Sequence, residues 1–254
     1  FDFENYLKRL GYKFKSEHYD FGGYLILNNK KICLSVDAGI SPVQKFSNHY
    51  QSGALSFEIV SNGKKLISNC GYYNQGNSEL CKLSRSTATQ STLVIDDQSS
   101  CSFNKINNEW FVNKGLKIID KHVVYEKNYW KIKVSHDGYL KKYNSIHERE
   151  IEFYPDQMAF KGIDKVIQKG TNYNLKFEIR FHMEPGVKLM KTQDNKNILI
   201  ELFNEGWKFT CDNFDINIDN GLYFGKKNSY TENQNIFISG ISNKQNENIF
   251  WQLT

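Results

Sequence analysis

The sequence predicts an all-β domain, a large antiparallel two-sheet sandwich, from three observations. Apolar residues alternate with a period of two from Tyr24 to Leu253, turn residues punctuate the runs, and no helical segment of a dozen residues interrupts them. Without crossover helices a parallel βαβ architecture is excluded. About fifteen to eighteen short strands are too many for a small barrel, and the absence of an internal repeat argues against a propeller. A chain of 254 residues is long enough to bury the core of such a domain.

Only the start of the chain reads as helix. In DFENYLKRLG, Asp2 is placed to cap, Phe3, Leu7 and Leu10 share a face, and Gly11 is placed to end the helix. GYLILNNKKICLSVD then reads as two strands joined at Asn28-Asn29, and LSFEIVSNGKKLIS as a hairpin turned at Asn62-Gly63. The stretch 71–90, GYYNQGNSELCKLSRSTATQ, is the longest without strand character, a length that in a compact domain usually serves a function. It passes into a strand, Thr92 to Ile95, that ends on Asp96 and Asp97, a turn pair. Beyond it LKIIDKHVVYEK, YWKIKVSHDGY, HEREIEFY, LKFEIRFHM, NILIELF, WKFTC, NIFISGI and NIFWQLT alternate. Turns are expected at Asp137-Gly138, Asn204-Glu205-Gly206 and Asp219-Asn220-Gly221.

Composition narrows the function classes. Aromatics make up 15% of the chain, a bias that suits pleated, half-buried surfaces. The net charge of +5 favours an anionic partner but lacks the dense basic clustering of a nucleic-acid binder, so no nucleic acid is expected. No apolar run approaches a membrane span, and no membrane association is expected. The five cysteines (Cys33, Cys70, Cys81, Cys101, Cys211) form no CxxC pair, which fits buried thiols better than a zinc ribbon or a disulfide framework. They leave the compartment open between bacterial periplasm and cytoplasm. The chain starts at Phe1, which reads as a piece of a longer protein.

The runs ALSFEIVSNGKKLISNCG and RSTATQSTLVIDD resemble the C-terminal domain of the heparinase II/III family of bacterial polysaccharide lyases. The likeness continues in order through SHDGYLKKYNSIHEREIEF, KGIDKV, EIRFHMEPGVKL and ENQNIFISG. The resemblance implies a sandwich over residues 21–254, with residues 1–20 a linker or short helix leading from an upstream helical toroid domain of the same protein. It further implies β-elimination on a uronate-containing acidic polysaccharide, such as a glycosaminoglycan. That chemistry neutralises the uronate carboxylate, removes the C5 proton and protonates the departing O4. In the family the toroid supplies a tyrosine and an asparagine or histidine, and the sandwich supplies a histidine. Some members hold zinc in the sandwich.

Carried over position by position, the catalytic histidine falls on His49 and the zinc-ligand positions fall on Gln51, Asn69 and Gln90. Three anionic or imidazole ligands have become three carboxamides, which are weak, neutral ligands for zinc. They pair readily by hydrogen bonds instead. No zinc and no other cofactor is therefore expected, and the three amides are expected to converge as a neutral hydrogen-bonded cluster.

Arg85 is a candidate for binding a substrate carboxylate or sulfate, or else for holding its own loop by an internal ion pair. Tyr72 is a candidate for stacking on a sugar. Its neighbour Tyr73 points to the opposite face, so at most one of the two meets a ligand. His147 and Arg149, on one face of a strand, are further ligand candidates, whereas His136 and His182 read as structural. Two function classes fit: a wall of a polysaccharide lyase cleft, inactive as a lone domain, or a non-catalytic carbohydrate-binding or structural sandwich with a degenerate metal site.

Overall fold

A computed structural model of the protein describes residues 5–6, 9–11, 18–75, 78–170, 174–225 and 229–254. Near the N-terminus, Leu10 N donates to Tyr6 O at 3.2 Å, and Gly11 follows at φ +71°, the left-handed stop expected of it. Asp2, Phe3 and Leu7 lie outside the described residues.

The strands run in chain order as β1 (His18–Phe21), β2 (Tyr24–Asn28), β3 (Ile32–Asp37), β4 (Phe57–Ser61), β5 (Lys64–Ser68), β6 (Leu93–Ile95), β7 (Ser102–Ile106), β8 (Glu109–Lys114), β9 (Ile118–Glu126) and β10 (Tyr129–His136). They continue as β11 (Ser145–Tyr154), β12 (Ala159–Gln168), β13 (Leu175–Met183), β14 (Lys188–Lys191), β15 (Asn197–Leu202), β16 (Glu205–Cys211), β17 (Ile216–Tyr223), β18 (Thr231–Ser242) and β19 (Asn246–Leu253). That is nineteen among the described residues, just above the expected range. One sheet has the order β1-β2-β3-β4-β5-β13-β18-β17, with β6 also pairing β13; the other has the order β14-β15-β16-β19-β12-β11-β10-β9. The hairpin β7-β8 stands apart.

Every sheet pairing described is antiparallel, and alternation decides which face goes inside. In β3 the pattern buries Ile32, Leu34 and Val36 and turns Cys33, Ser35 and Asp37 outward. The sheets meet through aromatic rings: Phe57 of β4 stacks on Trp251 of β19 at 5.6 Å between centroids, and Phe181 of β13 meets the same indole edge-on at 5.1 Å.

Several local expectations change. The Asn62-Gly63 hairpin forms, with φ of +44° and +77° as a type I′-like turn requires. The turn expected at Asn204-Glu205-Gly206 lies one residue earlier, on Phe203 and Asn204, with Phe203 at φ +51°. Asp219-Asn220-Gly221 is not a turn but the middle of β17, where pairing with β18 overrides local turn chemistry. Beyond the N-terminal segment, α-helix among the described residues is limited to short loop turns, α1 (Ser78–Leu83) in the 69–92 loop and α2 (Leu140–Tyr143) after β10.

The topology of β13 positions that loop. β5 pairs with the end of β13 (Ser68 opposite His182) and β6 with its middle (Leu93 opposite Ile179), both along the same edge. The chain leaves the sheet at Ser68 and returns at Leu93, so both feet of the 24-residue excursion 69–92 stand side by side on one strand.

Candidate functional site

The feet of the loop are tied to each other. Cys70 N donates to Thr89 O at 2.9 Å and Ser91 Oγ to Ser68 O at 2.7 Å. Asn69 Oδ1 accepts from Ser91 N at 2.8 Å. Gly71 closes the Asn-Cys-Gly turn at φ +79°, with a Cβ there landing 2.9 Å from Gly225 N, so only glycine fits. His182 bridges the feet from below, its Nε2 3.0 Å from Ala88 O and its Nδ1 3.2 Å from Cys70 Sγ. Burial lowers His182 to about 4, which keeps it neutral, and raises the Cys70 thiol to about 12.

A second segment, residues 48–56, is zipped to the loop. Ser52 N donates to Arg85 O at 2.9 Å, Thr87 Oγ1 to Ser52 O at 2.9 Å, and Thr92 Oγ1 to Ala54 O at 3.1 Å. Leu55 sits at φ +61°, an unusual conformation for a buried leucine, and its carbonyl accepts from Arg149 Nη1 at 2.8 Å. The same Nη1 donates to Ser91 O at 2.6 Å. One guanidinium from the opposite sheet thus holds both segments.

These ties bring Gln51, Asn69 and Gln90 to the wall of one cavity of about 550 Å³, together with His49, Asp37 and Glu58. Gln90 Nε2 donates to Thr89 Oγ1 at 3.2 Å and lies 3.5 Å from Gln51 Oε1, the outer limit of a hydrogen bond. Asn69 joins them through Ser91 rather than directly, and its Nδ2 faces Glu58 Oε1 at 3.5 Å. Neutral amides turned toward protein partners do not suit zinc, and no chemical step is assigned to a metal here. Among the described residues no three His, Cys, Asp or Glu side chains converge as a metal cluster.

His49 is exposed, and its ring stands edge-on to Tyr72 at 5.7 Å. It also borders a second cavity of about 440 Å³, shared with Tyr72, Arg85, Lys105, Glu109 and Trp110. Tyr73 points away and packs on Phe224 at 5.6 Å, as opposite faces require.

Arg85 is only 3% exposed and works mainly inward. It donates to the carbonyls of Asn48 and Tyr50 and to Tyr72 Oη at 2.6 Å, with its guanidinium over the Tyr72 ring. No carboxylate pairs with it among the described ion pairs, so it pins the His49 loop without an ion pair and lends the second cavity positive charge. Bidentate capture of a ligand is largely pre-empted by these bonds.

The structure places His147 and Arg149 in the core rather than on a ligand-facing surface. Both are buried between the sheets, at 0% and 2% exposure, around Asp164. His147 Nε2 lies 2.7 Å from Asp164 Oδ1, Arg149 Nε donates to the same oxygen at 2.8 Å, and Trp251 Nε1 donates to Oδ2 at 2.9 Å. His136 completes the row, its Nε2 3.3 Å from His147 Nδ1. The inward face that the pair shares is the core face, which the alternation of β11 made legible only once its register was known. Asp96 and Asp97 occupy an exposed turn at φ +52° and +57°, with Asp97 paired to Lys176 at 3.2 Å.

The residues that sequence reasoning missed are Asp37 and Glu58. Asp37 ends an ordinary alternating strand with no motif around it, and Glu58 is an outward residue within the run ALSFEIVSNGKKLISNCG; only cross-strand pairing (Tyr24 with Asp37, Ser35 with Glu58) brings them to the cavity. Glu58 is paired with Lys65 at 3.2 Å, whereas no described cation pairs with Asp37. Burial pushes the Asp37 carboxyl up to about 6, against a hydrogen bond from Gly39 N that favours the anion.

A two-sheet sandwich with a polar, oxygen-lined cavity beside a cationic one defines the class. The chain belongs to the heparinase II/III-like, C-terminal family, whose model matches residues 13–252. Its fold is that of the heparan sulfate lyase HepC from Pedobacter heparinus, at a TM-score of 0.76 and 15% identity, over 98% of this chain and 38% of that one. A heparinase III gene product matches at a TM-score of 0.75 and 16% identity, over 98% and 38%. Among curated proteins, FtsZ-localized protein C of Caulobacter vibrioides is 24% identical over 246 residues, 91% of this chain and 42% of the relative. The chain spans less than half the length of each of these three relatives. Among the described residues no helix is long and apolar enough to cross a membrane.

Proposed function

We propose that this sandwich forms one wall of the cleft of a lyase that cleaves uronate-containing acidic polysaccharides by β-elimination. The observation that carries the reading is the place of His49: exposed, braced by Tyr72, and bordering both a cationic and an oxygen-lined cavity. An imidazole there can hold or move a proton at its ring nitrogens. Arg85 and Lys105 supply positive potential on the side where a uronate carboxylate would lie. Arg85 and Tyr72 fix the loop that carries His49, and the amide cluster takes over the positioning done by metal in some members of the family.

In this reading residues 21–254 are the sandwich, residues 1–20 lead from an upstream helical toroid, and that toroid supplies the remaining acid–base groups. β-Elimination needs base, acid and carboxylate neutraliser held together, so the sandwich alone is expected to be inactive. The test is production of unsaturated uronate, followed by absorbance, from a panel of uronate polysaccharides. The whole protein should be active and the 254-residue chain inactive; robust turnover by this chain alone would overturn the division of labour. The three carboxamides favour a second reading, a carbohydrate-binding sandwich without catalysis. Saturable polysaccharide binding by the whole protein without any unsaturated product would select it.

A further inference from the structure

Asp37, Gly53, Ser56 and Gln90 line one side of the 550 Å³ cavity. Thr89 Oγ1 donates to the carbonyls of Ser86 and Ser84, so its oxygen must accept from Gln90 Nε2. That fixes the orientation of the Gln90 amide and turns Oε1 toward Gly53. A Cβ at Gly53 would lie 3.2 Å from Gln90 Oε1, 3.2 Å from Ser56 Oγ and 3.4 Å from Asp37 Oδ2. The three oxygens therefore crowd together on the Gly53 wall of the cavity, where even a methyl group would be tight.

The charge balance points the same way. Glu58 is neutralised by Lys65 and accepts from Asn69 N at 3.2 Å. Asp37 has only the bond from Gly39 N to its Oδ1 and no described cation partner, and its backbone is locked by bonds to Ser56 O and from Leu55 N. It cannot swing away to find water without breaking the β3 terminus. The cavity thus holds one uncompensated, fixed carboxylate beside two neutral acceptors. A primary ammonium carries three donors, one positive charge and no acceptor. An N-acetyl group offers a single donor and brings an acceptor of its own, and an N-sulfo group brings negative charge against Asp37.

We infer that this cavity is a subsite for a hexosamine with a free amine, its ammonium held by Asp37, Gln90 and Ser56. The inference rests on the carbohydrate-cleft reading only for the choice of a sugar as the carrier of the amine. His49 then stands between the amino sugar in this cavity and the anionic sugar on the Arg85 and Lys105 side. The implied polymer alternates a uronate with an N-unsubstituted hexosamine.

The test is a protein-observed NMR titration of the 254-residue chain at neutral pH with glucosamine, N-acetylglucosamine and N-sulfoglucosamine. Glucosamine should bind at least tenfold more tightly than the N-acetyl sugar, N-sulfoglucosamine should not bind, and resonances of Gly53 and Ser56 should shift. Asp37→Asn, whose amide oxygen can still accept from Gly39 N, should abolish the preference. Gly53→Ala, whose methyl crowds all three oxygens, should weaken glucosamine binding while keeping the carboxylate charge. Equal or tighter binding of the N-acetyl or N-sulfo sugar would overturn the inference, as would an unchanged preference in Asp37→Asn. Glucosamine selectivity in a protein that cleaves no uronate polysaccharide would sink the lyase reading alone. Cleavage with no amine preference would sink this inference alone.

Discussion

His49 owes its position to Arg85, whose donors are spent on the Asn48 and Tyr50 carbonyls and on Tyr72. Under the lyase reading, His49→Ala should lower turnover of the whole protein by about 10²-fold or more, the scale of a lost general acid or base. Little change would return His49 to an incidental surface residue. Arg85→Lys should also lower turnover although the charge is kept, because one ammonium cannot hold two carbonyls and a hydroxyl in the planar geometry of a guanidinium. At the amide cluster, the triple change Gln51→His, Asn69→Asp and Gln90→His should create stoichiometric zinc binding, read by metal analysis of protein purified without chelator. The unchanged protein should contain none. Zinc in the native chain would mean that the ligand set has been misassigned.

The two strand edges and the two loops depend on a single clamp between the sheets. Arg149 on β11 reaches across the core to the carbonyls of Leu55 and Ser91, while Asp164 on β12 holds its other side. Its bonds to Leu55 and Ser91 fix the spacing between the segment carrying Gln51 and the segment carrying Gln90. Arg149→Met should leave Asp164 buried without its cation and cost about 3–5 kcal/mol, measured by urea unfolding. A loss below about 1 kcal/mol would show that the clamp does not govern the fold. The same variant should broaden the NMR signals of residues 51–56 and 90–92 before it unfolds the sheets, since those segments lose their common anchor. The loop itself is anchored because β5 and β6 share the edge of β13, an arrangement that no local pattern in residues 71–90 announces.

For the whole molecule, buried histidines set the response to acid. His182 is lowered to about 4, and His136 and His147 are lowered too, all chiefly by burial. In the unfolded chain they take up protons near pH 6.5. Between about pH 6.5 and 4 the unfolded state therefore binds more protons, and stability falls as pH falls, by about 3 kcal/mol for His182 alone. Asp37 acts in the opposite sense: its folded value of about 6 lies above the unfolded 3.8, so its burial is a cost above pH 6 that acidification relieves. Asp164, held to about 2 by Arg149 and His147 against its burial, stays ionised throughout this window. Three histidines outweigh one aspartate, and the urea midpoint should be lower at pH 4.5 than at pH 7. A flat or rising profile would show that the histidines are not buried neutral. Asp37→Asn should raise stability at pH 7 by about 1–2 kcal/mol, the mark of a residue kept for binding rather than folding.

Period-two alternation by itself determined the sandwich: the strands and most hairpins were readable from residues in order, because burial on one face of a pleated strand writes itself into every second residue. The family likeness rested on separate motif runs in order. The three carboxamides could be placed from sequence as substitutions within otherwise recognisable motifs, and they line one cavity. Sequence could not decide which way a charged pair on one strand faces, and His147 and Arg149 turned out to be core rather than cleft. Nor could it show Asp37 and Glu58 as cavity residues, since Asp37 sits in no motif and the motif around Glu58 does not announce its pairing. The cavity that they line is made by cross-strand register and by a loop returning to the strand it left, contacts between residues far apart in the chain that only the tertiary structure decides.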